Sequence, residues 1–142
     1  MEIYTGVGGE VIFKKYSPVG ELENFAEDYV VSLSKSSAFT AAICDEDSII
    51  ASAGPFKKEV QSKDISDEIR ELMKERTKFS GDRKLTAING TDIMALVAYP
   101  IIANGDVGGA VMLLGTPSDK PTEADIKLVS AASDFLGRQM ED

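Results

Sequence analysis

Histidine and tryptophan are absent from this 142-residue sequence, and cysteine occurs once, as Cys44. Without imidazole there is no Ser-His-Asp or Cys-His catalysis, and with one thiol a transition metal lacks its usual ligands. A single cysteine also excludes an internal disulfide and a resolving-thiol redox pair, and it fits a reducing, cytoplasmic setting. Positive charge is scarce as well. Lys and Arg number 15 against 24 Asp and Glu, a formal net charge of −9. That balance argues against a general grip on nucleic acid, because phosphate binding depends on clustered Lys and Arg. No apolar run approaches the roughly 20 residues of a membrane span, and no signal-peptide pattern precedes Gly6.

What is present describes one compact domain, with 43% hydrophobic residues and a length sufficient for a single core. Residues 2–5 and 11–16 alternate apolar and polar positions around Gly6, Gly8 and Gly9, the pattern of a β-hairpin. Over residues 21–35, Leu22, Phe25, Ala26, Tyr29, Val30 and Leu33 recur at helical spacing. Residues 38–44 and 48–53 read as strands joined by the turn-prone Asp45-Glu46-Asp47. Ser66 is placed to cap a helix over 67–76, with Asp67 and Glu68 first and Lys74 and Arg76 last, which suits the helix dipole. A short strand is expected over 85–89. Two longer ones, 93–103 and 107–115, flank Asn104-Gly105-Asp106, with Pro100 at an edge or bulge. Thr122 to Asp125 has capping-box spacing, and Ile126, Val129, Ala132, Leu136 and Met140 follow as a stripe. Leu128, Ala131 and Phe135 form a second stripe, making the apolar face wider than one sheet contact needs. The order gives an α+β antiparallel sandwich with its outer helices together on one face.

Few motifs carry chemistry. The glycines of "YTGVGGEVIFKKYSP" fail as a dinucleotide loop: Val11 stands where the last glycine of G-x-G-x-x-G belongs, and a strand follows instead of a helix. Cys44, at the end of a buried strand, reads as a core thiol. Asp45 and Asp47 are explained by a turn as well as by a hard cation, so no metal or cofactor is expected. The strands carry small residues (Ala41, Ala42, Ala51, Ala53, Ala95, Ala98, Gly108, Gly109 and Ala110), which serve either close helix packing or a cavity. Charge is uneven: residues 57–84 hold 9 basic and 7 acidic side chains, leaving 6 basic and 17 acidic elsewhere. A solvated face is the plain account of that segment, and a small-anion site the other.

The segments "GEVIFKKYSPVGELENFAEDY", "AAICDEDSIIASAG", "YPIIANGDVGGAVML" and "DFLGRQMED" resemble the stage V sporulation protein T family of transcription regulators over essentially the whole chain. The resemblance implies a GAF-like antiparallel sheet flanked by helices over 19–142, acting as a sensor. Residues 1–18 would be a hairpin remnant of the swapped-hairpin DNA-binding domain shared with the transition-state regulator AbrB. It further implies a small-molecule effector and a homodimer or tetramer assembled through the terminal helices. DNA would be reached only through the domain upstream. The Asn-Lys-Phe-Asp-Glu set by which some GAF domains read cyclic nucleotides is not seen.

In GAF-like domains the excursion equivalent to residues 54–84 covers the sheet face opposite the terminal helices, so an effector pocket is expected there. Thr40, Ala53, Phe56, Phe79 and Tyr99 are its candidate lining, and Arg76 a candidate anion partner. Each also has a plain reading, as core plug, cap or surface. The expected association surface is the last helix, with Val129 and Leu136 on its stripe. Two other readings stand beside the sensor: a structural oligomerisation module with no ligand, and a GAF-type methionine sulfoxide reductase, which one cysteine and no histidine oppose.

Overall fold

The computed structural model describes residues 23–141, so the expected hairpin over 2–16 and the domain assigned to 1–18 lie outside the described residues. The chain runs α1 (Glu23–Ser36), β1 (Thr40–Cys44), β2 (Ile49–Ala53), α2 (Lys57–Val60), α3 (Asp67–Lys74), β3 (Met94–Ala103), β4 (Asp106–Gly115) and α4 (Glu123–Gln139). The four strands make one antiparallel sheet in the order β2-β1-β4-β3. Two hairpins thus meet along β1 and β4, and the excursion between β2 and β3 must cross a sheet face to connect them.

Local chemistry sets the boundaries. Ser66 caps α3 by accepting the Ile69 amide at 3.1 Å. Thr122 and Asp125 form the capping box at the start of α4, with reciprocal bonds of 3.1 and 2.9 Å. The β3–β4 turn places Asn104 and Gly105 at φ 52° and 84°, the left-handed pair that a tight hairpin with the sheet's twist demands. Pro100 lies on β3, an edge strand, where a missing ladder donor is tolerated. The short strand expected over 85–89 is reduced to pairing of residues 85–87 with the start of β3: a bridge from Thr86 to Met94, and bonds from Ala87 N to Ile93 O (2.9 Å) and Ala95 N to Leu85 O (2.7 Å).

The period of two along each strand divides the interior into two cores. On one face α1 packs over β1 and β2 and α4 over β3 and β4, joining Val30, Leu33, Ile43, Leu113, Val129 and Leu136. Gly137 lets α4 lie directly on the edge strand, since a Cβ there would collide with the Ile102 carbonyl oxygen. On the other face α3 and the excursion bury Ile49, Ile65, Ile69, Leu72, Phe79 and Met112. The small residues Ala42, Ala95, Ala98 and Ala110 sit on this second face, each at most 2% exposed. There Ala42, Ala98 and Ala110 serve close packing, and Ala95 also lines a cleft at the start of β3.

Val129 and Leu136 are 0% and 1% exposed. They are core, and this corrects the expectation that they present an association surface: the stripe that faces the sheet is consumed by the sheet. The second stripe stays open. Leu128, Ala131 and Phe135 face Phe25, Tyr29 and Leu33 of α1 across a groove of about 480 Å³. Phe25 and Phe135 remain 49% and 42% exposed.

Candidate functional site

At the end of the sheet where β1 begins, Thr40 is buried and its Oγ1 accepts the backbone amide of Phe56 at 2.9 Å. The bond ties the start of the excursion to the sheet. It also brings two of the expected residues into one cleft of about 220 Å³, lined by Phe39, Thr40, Pro55, Phe56, Leu114 and Asp119. The short helix α2 follows directly, in a stretch that reads only as polar in sequence.

The remaining candidates do not converge there. Phe79 is 3% exposed in the excursion-side core, held by paired backbone bonds to Ala98 (2.8 and 2.9 Å) and covered by the Arg83 guanidinium, 5.7 Å from its ring centroid. Ala53 and Tyr99 belong to the opposite, helix-side core. Strand alternation is the reason: Thr40 and Ala42 share one face, while Ala53 pairs with Ala41 on the other. The Tyr99 hydroxyl reaches the sheet margin, 3.4 Å from Ser80 Oγ, with Lys78 Nζ 5.8 Å from its ring. Arg76 is exposed and terminates α3 at φ 57°. Its amide bonds Met73 O and the Thr77 amide bonds Leu72 O, both at 3.0 Å, the two bonds of a Schellman stop.

A second cleft, of about 210 Å³, adjoins the first across Thr116 and Asp119, and no residue type in the sequence singled it out. It lies between residues 81–85, the start of β3 and the 116–121 link. Gly115 allows the closeness, because a Cβ there would stand 2.7 Å from Asp119 Oδ2 and 2.9 Å from Leu96 Cδ1. The only sequence signal for this place was the excess of cations over residues 57–84, which ends at Arg83 and Lys84.

Other chemistry is absorbed by structure. Burial pushes the Cys44 thiol up to about 12, so it carries no thiolate near neutral pH, where a nucleophile would need one. Asp45 Oδ1 accepts the Asp47 and Ser48 amides, both at 2.8 Å, and Asp47 pairs with Arg70 at 3.2 Å. Among the described residues no cluster of three or more His, Cys, Asp or Glu could hold a metal ion. No helix among them is long and apolar enough to cross a membrane.

Comparison with known proteins agrees with this architecture. The solved GAF domain of an Acinetobacter phosphoenolpyruvate-protein phosphotransferase superposes with a TM-score of 0.65 at 11% identity, covering 98% of this chain and 88% of that one. A type II free methionine-R-sulfoxide reductase from Thermoplasma acidophilum superposes at 0.60 and 10% identity, covering 84% and 94%. At such identities these likenesses establish the fold, a GAF domain, and nothing of the chemistry. In sequence, the chain is 38% identical over 145 aligned positions to stage V sporulation protein T of Bacillus subtilis (strain 168), covering 99% of this chain and 81% of that protein. Residues 21–141 match the family described as "Stage V sporulation protein T C-terminal, transcription factor", and the chain belongs to that family of transcription factors.

Proposed function

We propose that this chain is the small-molecule-sensing and oligomerisation part of a cytoplasmic sporulation transcription regulator, which reaches DNA through a segment outside residues 23–141. The observation that carries the sensor reading is the cleft in which Thr40 and Phe56, 16 residues apart, are joined by a hydrogen bond. A ligand seated there touches both the sheet and the start of the excursion, so it can bias how firmly the two are joined. Self-association is supported by the open aromatic groove between α1 and α4. The formal charge of −9 fits a part that does not itself hold DNA.

A thermal-shift screen of the whole chain with amino acids, nucleotides and acyl metabolites tests the sensor. A compound that binds the native state raises stability by RT ln(1 + [L]/Kd). The expected result is a concentration-dependent rise with one class, reduced by Thr40→Val. The second reading, a structural oligomerisation module without a ligand, draws on the excursion-side core, where Ile69, Leu72, Phe79 and Met112 fill the space between excursion and sheet. No stabilisation by any compound would favour that module.

A further inference from the structure

We propose that the cleft between residues 81–85, the start of β3 and the 116–121 link binds a small organic anion: a carboxylate or phosphate group on a short apolar stem. The proposal deepens the effector reading and rests on it for regulatory meaning, but its residues are ones that reading did not name. Arg83, Lys84 and Lys120 line the cleft against Asp82 and Asp119. Asp119 is committed to the wall: its Oδ2 accepts the Thr116 amide at 2.8 Å and the Thr116 hydroxyl at 3.0 Å. Lys84 Nζ donates to Pro117 O at 3.2 Å, pinning the two walls together with an ammonium that keeps two further donors. Arg83 lies beside Phe79, its Cζ 5.7 Å from the ring centroid, and its guanidinium carries the planar fork of donors that matches a carboxylate or phosphate.

Neither ion pair among the described residues involves these three cations. The cleft thus sets three cations against two carboxylates, Asp82 and Asp119, in a chain whose net charge is −9. The floor is apolar, formed by Leu85, Ala95 and Leu96, each at most 5% exposed. A volume of about 210 Å³ is below the roughly 300–1,000 Å³ of drug-sized sites, which limits the stem to a few carbons.

The test is calorimetric titration of the whole chain with butyrate, propyl phosphate, inorganic phosphate and butylammonium. Saturable binding of butyrate or propyl phosphate is expected, tighter than inorganic phosphate, with none for butylammonium. The combined variant Arg83→Gln, Lys84→Gln, Lys120→Gln should lose at least tenfold in affinity with an unchanged circular dichroism spectrum. Lys74→Gln, an exposed cation on α3, should change it less than twofold. Equal losses in both variants, binding of butylammonium, or no saturable heat with any anion overturns the proposal; inorganic phosphate binding as tightly as propyl phosphate overturns the apolar stem. If another compound stabilises the chain and the cleft variant leaves that response intact, this cleft is refuted and the effector reading stands. If nothing in the wider screen stabilises the chain, the effector reading falls as well.

Discussion

The two faces of the sheet are covered by different means. One carries two long helices, α1 and α4, each fixed by a stripe that the sheet consumes; the other carries an eight-residue helix, α3, and a loop excursion. The helix side leaves aromatic surface open, with Phe25 and Phe135 about half exposed, because α1 and α4 each bury one stripe on the sheet and leave a groove between their outer faces. The excursion side follows the sheet closely and seals its middle with Ile69, Leu72, Phe79 and Met112, with clefts at its margin. A long helix buries one stripe and presents another. A loop conforms, and presents only its edges.

If the two faces are equally packed, neighbouring residues of β4 that point to opposite sides should matter alike. Leu113, on the helix side, and Met112, on the excursion side, are both fully buried. Truncation of either to Ala is expected to cost about 2–5 kcal/mol in urea unfolding. A loss below about 1 kcal/mol at one of them would show that its face is loosely filled and break the symmetry. The next effect concerns anchorage. Ser66 caps α3 and also donates to Thr86 O, fastening the helix to the strip that pairs with β3, whereas the side chain of Thr122 caps only α4. Ser66→Ala is expected to cost about 2 kcal/mol and Thr122→Ala about 1 kcal/mol, measured by the same unfolding curves.

These anchors also mark what the sequence could and could not disclose. The caps at Ser66 and Thr122, the Asn104-Gly105 turn and the helical stripes are local signals, and local signals place the α+β elements nearly to their ends. The strip after Leu85 and the helix α2 are held by tertiary bonds, Ala95 to Leu85 and Phe56 to Thr40, which no window of sequence contains. The candidate site divides the same way. Thr40 and Phe56 were legible as residues at the mouth of the excursion, but Ala53 and Tyr99 face the helices because strand parity, and in β3 a register shift between Ala95 and Val97, decides the side. The second cleft depends on the 116–121 link folding back toward residues 81–85, a meeting of distant segments that composition registers only as an excess of charge.

A smaller effect separates backbone from chemistry at Arg76. Its positive φ is a conformation that glycine adopts without penalty. Arg76→Gly should therefore raise stability by about 0.5–1 kcal/mol, read as a shift in the unfolding midpoint. If the same variant also weakens an effector's thermal shift, Arg76 acts at the site despite its place on the surface.

On the proposed reading the helix side is completed by a second copy, through the open groove that Phe25 and Phe135 line, and the excursion side by the chain itself. Light scattering over a range of concentrations measures this on the wild-type chain and on Phe135→Ser, a change at an exposed position that should leave the fold intact. The expected result is a dimer or larger assembly that Phe135→Ser shifts toward monomer by at least tenfold in dissociation constant. A wild-type chain that remains monomeric throughout would contradict it.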